Sequence, residues 1–527
     1  MKKSKINKKI LFASFAGVAT LASVAAIAAT CNDSNKNNGG TSQDGNYVSK
    51  LVLENFYSKL AGDIGDNPGY HRTYNSLYDD GARMLGLISF SHSGPIAEYF
   101  KSPNAKKDLS AVLIDDKFSG NEGKDRIASV LYRVDQAAFL TGIAAAYYLN
   151  ANQETFGKDG KLTWGGYVGL HFTSTSTFIQ GFKFGVQWAN EKLKDKNINQ
   201  EDANGTEKKW MNVEQVFANK YVAGSFKPDE EGATNIINDL ITKKADVILP
   251  VAGPQTNIAT SIVSNATDPS VIIGVDTAQE LDDVTNRKRI TNKTVNDGKT
   301  ILFSIVKRVD LAMKGAIENA SKGAQLTDDI TKDAYKLGTH TEASLDKSTY
   351  VDDDTPLVEL SNAGRVYLEQ AAKLAGLKAI TYAQIVDAIQ NEDLFKLLSQ
   401  KGTTTLENVA TKTNDGWTLK NEYSNKPFAE LQKLLGGEVY INELDKKLYP
   451  YSLTGSSYLE EDKTKRSASQ EFKKAWDAAT TPEAKEKLAK VVLGQNNAVI
   501  KDKSFSESAY NGLAAFYKSK KIIIPKI

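Results

Sequence analysis

The chain is poor in the residues on which most reactive sites are built. It has one cysteine, Cys31, and four histidines. His71, His92, His171 and His340 are scattered, without metal-ligand spacing. A single cysteine leaves no disulfide within the chain. The fold must be held by burial, which a chain of 527 residues can supply. Neither sign of charge dominates: 66 Lys and Arg stand against 64 Asp and Glu, and no nucleic-acid footprint is visible. No P-loop is present, and no Ser/His/Asp set can be assembled from the sequence. Beyond Thr30 no apolar run reaches membrane-spanning length. These absences point away from an enzyme and call for no metal, cofactor or nucleic acid.

What is present begins with a processing signal. Lys2, Lys3, Lys5, Lys8 and Lys9 precede an uncharged, Ala-rich run from Ile10 to Thr30, which ends Ala28-Ala29-Thr30-Cys31. A basic start, an apolar run and small residues at the cut describe a secretory signal, residues 1–30. The lone cysteine after it resembles a bacterial lipobox, whose thiol carries a diacylglyceryl group. The alternative is an uncleaved membrane helix. Both give an extracytoplasmic domain tethered by its N-terminus, and two acyl chains hold firmly at about 0.8 kcal/mol per buried CH₂. Residues 31–50 read as a flexible tether, since Asn32 to Gly45 is rich in Asn, Ser, Gly and Asp.

The mature chain is long enough for more than one domain. Its middle alternates strands and helices. Strands are expected at Met84 to Phe90, Ser110 to Ile114, Gly166 to Leu170, Asp246 to Pro250, Val271 to Val275 and Ile301 to Val306. Helices are expected at 71–81, 96–100, 137–149, 178–190 and 231–241, with another opening at Lys307. Fully apolar strands alternating with helices predict an α/β fold with parallel sheets covered on both faces. Gly181 and Gly185, four apart, predict close helix packing. Helices are also expected over 363–398 and from Ala468 to Lys490. Strands are expected at Val491 to Leu493 and 522–526, with a helix between them reaching about Lys518. In open α/β sheets ligands bind beyond the carboxyl ends of the strands, and Asp115, Gly253, Asp276 and Lys307 all fall there.

The tail reads Asp502-Lys503-Ser504-Phe505-Ser506-Glu507-Ser508-Ala509-Tyr510-Asn511-Gly512-Leu513. It resembles the D-K-S-F-N-Q-S-A-x-E-G-L signature of the basic-membrane-protein (BMP) family of solute-binding lipoproteins. Gln136 to Ala145 resembles that family's E-x-x-Y-L-A-G-x-x-A helix, and Phe178 to Gly185 its F-x-x-G-F-x-x-G. Ala245 to Gly253 resembles A-D-V-I-x-x-A-A-G, Gly274 to Gln279 resembles G-V-D-x-D-Q, and Ser304 to Asp310 resembles T-S-x-x-K-R-V-D. These stand in family order, but the signature usually follows the first strand, not the last but one. The resemblance therefore implies a circularly permuted, two-lobed fold of the type I periplasmic-binding-protein kind. Lobe I would comprise 51–135, completed by 491–527 as the permuted first β-α-β unit. Residues 136–320 would be mainly lobe II, 321–400 a return to lobe I with helices, and 401–490 an extra helical and loop insertion.

Family members of known specificity bind purine nucleosides for an ATP-driven importer. Carried over by position, the resemblance makes Phe505 one stacking face for a base and Phe226 the other. Asp115 would take a base-edge donor, Asp276 and Lys307 would hold the sugar, and backbone at Gly253 would line the cleft. Two positions depart from the pattern: the family Asn after the Phe is Ser506, and the Asp nine residues before it is Asn496. The expectation is a monomeric, lipid-anchored nucleoside receptor on the outer face of a bacterial membrane, serving an ABC permease. A surface antigen or adhesin that keeps the fold without the pocket is the alternative.

Overall fold

The computed structural model describes residues 67–201, 207–324, 334–352, 354–379, 381–413, 416–450, 457–458, 468–493 and 502–522. Cys31 with the leader and tether, Asn496, and the last expected strand beyond Ile522 (523–526) lie outside the described residues.

Short apolar runs become strands, and the stretches between them become covering helices. The first part comprises helix α1 (Asn67–Asp79), strand β1 (Met84–Ile88), helix α2 (Ser93–Lys101), and strands β2 (Ser110–Ile114) and β3 (Ile127–Tyr132). Every residue of these three strands is buried, as parallel strands covered on both faces should be. Helix α3 (Val134–Ala151) carries the chain to a second sheet. There follow β4 (Leu162–Val168), α4 (Thr173–Leu193), β5 (Val213–Gln215), α5 (Glu231–Thr242), β6 (Val247–Val251), α6 (Thr256–Asn265), β7 (Val271–Asp276) and β8 (Ile301–Lys307). Helix α3 is buried along its whole length. A Cβ at Gly181 or Gly185 of α4 would run into the α3 carbonyl oxygens of Asp135 and Phe139, so the two glycines set how closely the helices approach.

Helix α7 (Val309–Ser321) leads back to β9 (Thr339–Ala343) in the first sheet, and the chain returns to β10 (Val358–Leu360) in the second. Helices α8 (Asn362–Leu374) and α9 (Tyr382–Ile389) follow. Next come β11 (Ala410–Thr413), β12 (Gly416–Leu419), α10 (Phe428–Leu435), β13 (Val439–Asn442) and β14 (Lys447–Pro450). The chain ends with β15 (Ser457–Tyr458), α11 (Ala468–Ala478), β16 (Ala489–Leu493) and α12 (Phe505–Ser519). The first sheet has the order β15-β9-β3-β2-β1-β16 and the second β10-β8-β7-β6-β4-β5. Both are parallel except at one edge, β15 and β10 respectively.

The α/β frame is the one expected, and four details differ. The stretch 401–490, expected as helix and loop, also holds a four-stranded antiparallel sheet, β11-β12-β14-β13. Its strands enclose a small core of Val409, Leu419, Leu431, Leu435, Val439, Ile441 and Leu448. The apolar residues are too sparse along the chain for a period to declare it. This sheet is tied to α4 by an ion pair of Lys183 with Glu443, to the segment after β4 by stacking of His171 on Tyr449, and to the segment after β5 by stacking of Tyr221 on Tyr440. Secondly, the helix expected to run to Lys490 breaks earlier. Thr481 caps a separate turn at Pro482–Glu486, since proline cannot continue a helix, and β16 starts at Ala489. Thirdly, 321–400 does not return wholly to the first sheet, because β10 pairs with β8 in the second. Fourthly, Lys307 ends a strand, and the helix opens at Val309.

The tail is part of the first sheet. Strand β16 pairs in parallel with β1, Gly86 opposite Val491, while β2 pairs with the other edge of β1. Helix α12 lies against α7 so closely that a Cβ at Gly512 would collide with the backbone of Asp310. His92, wholly buried, sits 2.7 Å from the Tyr74 hydroxyl through Nδ1 and 3.2 Å from the Val492 carbonyl oxygen through Nε2. It joins α1 to the tail strand.

Two outcomes follow from this packing. Ending the chain after Leu493 removes buried Leu513, Phe516 and Tyr517. Each such side chain is worth about 1.5–3 kcal/mol, against a total stability of about 5–15 kcal/mol. The truncated protein should lose cooperative thermal melting, and an unchanged melt would refute the tail's structural role. Burial pushes the His92 imidazole down to about 3, below the unfolded value of about 6.5. Its stabilisation is therefore full above about pH 6.5 and is lost as pH falls towards 3. The stability margin of the wild type over His92→Asn should shrink below pH 6.5 by up to about 1.4 kcal/mol per pH unit, measured by urea unfolding. A margin independent of pH would rule this out.

Candidate functional site

The carboxyl ends of strands from both sheets meet at one ammonium group. Lys307, the last residue of β8, places Nζ 3.1 and 3.2 Å from the two carboxylate oxygens of Asp115, just beyond β2. The same Nζ is 3.6 Å from Oδ1 of Asp276, the last residue of β7. The other oxygen of Asp276 accepts a hydrogen bond of 2.9 Å from the hydroxyl of Ser504, the residue just before α12. Asp115 and Ser504 extend the first sheet; Lys307 and Asp276 belong to the second. The cluster therefore bridges the two.

Local backbone explains the aim of both carboxylates. Asp115 (φ 71°) and Asp276 (φ 67°) adopt the left-handed conformation. For an L-residue this costs of the order of 1–2 kcal/mol, and Asp tolerates it better than most. Non-glycine residues held this way recur at functional sites. Here the turn directs each side chain off the end of its strand. Gly253, beyond β6, has no room for a side chain, because a Cβ would meet the Ser504 hydroxyl and the Asp276 carboxylate.

Burial raises the Asp115 carboxyl to about 6. Lys307 and a hydrogen bond from Ser174 pull it down only in part, and the Asp276 charge pushes it up further. Two aromatic rings complete the surround: Nζ of Lys307 lies 5.0 Å from the ring centroid of Phe178 and 5.4 Å from that of Phe505, within cation–π range. Further contacts cross between the same two loops. Thr277 donates to the Lys503 carbonyl oxygen at 3.1 Å, and the Lys503 ammonium is 3.9 Å from Asp282.

The structure thus brings Asp115, Gly253, Asp276, Lys307 and Phe505 together. Ser506 is directed elsewhere. Its amide donates to Asp502 at 2.9 Å and its hydroxyl is bonded to the same carboxylate, which also accepts the amides of Ser504 and Glu507. Asp502 thereby caps the tail helix, in keeping with the preference of helix N-termini for carboxylates. Phe226 belongs to a neighbouring cluster of half-buried rings, 5.8 Å from Phe172 and 6.4 Å from Phe90, which are themselves 4.3 Å apart. The first turn of α4 connects the clusters: Phe172 precedes the helix, Ser174 bonds Asp115, and Phe178 lies near Lys307. Phe90, Phe172, Phe178, Ser174 and Ser504 were not singled out from the sequence. A signal existed for two of them, because Phe90 and Phe172 follow the strand ends Ile88 and Val168 closely.

Chemically the site offers two carboxylates, one ammonium and flat apolar faces. It suits a ligand with several donors and a planar surface. Removing the ammonium alone would leave two buried carboxylates facing each other. Lys307→Met should cost about 3–5 kcal/mol in denaturant unfolding, and Lys307→Met with Asp115→Asn should regain much of that loss. Equal stability of the single variant and wild type would refute the pairing.

Residues 109–216 match the family model described as ABC transporter substrate-binding protein PnrA-like. The chain is 28% identical over 309 residues to the uncharacterized lipoprotein MG040 of Mycoplasma genitalium, covering 48% of this chain and 52% of that protein. The corresponding Mycoplasma pneumoniae lipoprotein is 33% identical over 240 residues, 38% of this chain and 36% of that one. Basic membrane protein A of Borreliella burgdorferi is 24% identical over 230 residues, 44% and 57% respectively. The chain thus spans roughly half the length of the curated relatives it matches. Among solved structures, an ABC transporter solute-binding protein from Aeropyrum pernix K1 aligns over 77% of this chain and 95% of its own, at 18% identity and a TM-score of 0.41. The matched segment, which holds Asp115, Phe172 and Phe178, is thus similar to the PnrA-like substrate-binding family model, and the chain shares partial similarity with these lipoproteins and with a basic membrane protein.

Proposed function

We propose that the chain is the solute-binding component of an ABC importer, anchored through Cys31 at the outer face of the membrane, and that it closes on a nucleoside. The observation that carries this reading is the meeting of Asp115, Asp276, Lys307, Ser504 and Phe505 from strand ends of two different sheets. A ribose presents two vicinal hydroxyl donors to a carboxylate, as it does in dinucleotide sites. A base presents two flat faces, each good for stacking on a phenylalanine. On this reading the role is binding by closure of two lobes, with no covalent step. The reading takes the protein to act as a monomer serving one membrane permease.

The order of elements supports a permuted chain, with β16 and α12 standing in for the first β-α unit. That reading requires a strand at 523–526 beside β16. Amide hydrogen exchange as fast as in an unfolded peptide at those residues would sink it.

The rival reading, an antigen or adhesin, draws support from the additional antiparallel sheet, which sugar or base recognition does not call for. Calorimetry against a nucleoside panel separates the two. Binding by the wild type, weakened about ten- to a hundredfold by Phe505→Ala through loss of about 1–3 kcal/mol of stacking, supports the receptor. No heat with any nucleoside from folded protein supports the rival.

A further inference from the structure

Gln255 lies two residues beyond Gly253 and has no exposed surface. Its Nε2 donates 2.7 Å to the carbonyl oxygen of Ser225, the residue before Phe226. A backbone carbonyl can only accept, so this bond fixes which end of the amide is which. Oε1 is left buried with no hydrogen-bond partner. The adjacent Thr256 hydroxyl, equally unexposed, has none either. A buried acceptor without a donor costs about 1–3 kcal/mol, and such a group flanking a binding site is explained if the donor arrives with the ligand.

Competing polar groups nearby are already engaged. The Asp115 carboxylate holds Lys307, the Ser504 hydroxyl holds Asp276, and both donors of Ser506 go to Asp502. Gln255 is tied through the Ser225 carbonyl to the segment that carries Phe226.

We propose that Gln255 is the specificity-determining acceptor of the second sheet, taking an N–H from the edge of a heterocycle stacked on Phe226. The inference rests on the nucleoside reading and narrows it to bases that carry an edge donor.

The test is calorimetry of the purified full chain with adenosine and with purine riboside, which lacks the exocyclic amine. The wild type should prefer adenosine by about tenfold or more, the size expected when a buried acceptor loses its donor. Gln255→Leu and Gln255→Met, each checked for a wild-type melting curve, should bind the two within about threefold. Equal affinity of the wild type for both ligands overturns the inference without any variant. So does a preference that survives in a folded variant. If the wild type binds neither these nor any other nucleoside, the nucleoside reading falls and this inference with it.

Discussion

One ammonium group, that of Lys307, sits where two sheets meet, and the rest of the site is arranged around it. A buried charge is tolerated only when paired and hydrogen-bonded. Lys307 is 4% exposed and finds one carboxylate from each sheet. Neither sheet alone could bury it. The same pairing explains why Asp115 and Asp276 accept a left-handed backbone: the strain at each is offset by the charge it meets. It also explains Gly253, whose missing side chain leaves space for Ser504 to reach Asp276.

The remainder of the protein supports that junction from behind. Strands buried on both faces have little freedom to shift register, because a one-residue slip would exchange every side chain between faces. Their ends are therefore fixed points from which loops can aim side chains. Helices α3 and α4, drawn together at Gly181 and Gly185, hold the first turn of α4 where Ser174 and Phe178 reach the Lys307 cluster. The tail contributes through α12, whose capping carboxylate, Asp502, orders the loop that presents Ser504 and Phe505. Tail, crossover helices and strand ends thus act on the same few side chains.

Much of the frame could be read in advance because parallel strands declare themselves. Ser110 to Ile114 and Val271 to Val275 are uninterrupted apolar runs with polar residues at their ends, and both are strands in the structure. The antiparallel sheet of β11 to β14 escaped notice. Its strands are only four residues long and enclose a core of their own. The site divides in a similar way. Asp115, Asp276 and Lys307 follow apolar runs and stood out, whereas Phe178 and Gln255 lie inside helix or turn, where nothing local distinguishes a ligand-facing residue from a core one.

The sequence by itself determined the alternation of strand and helix, the polar residues at strand ends and the capping loop of the tail. All of these depend on neighbours within a few residues. Only the tertiary structure decided that Asp115 would meet Lys307, that Ser504 would reach Asp276, and that the tail strand would lie beside β1. Those outcomes depend on which sheet each strand joins and on how closely two helices pack. Both are settled by burial and charge pairing between residues hundreds of positions apart.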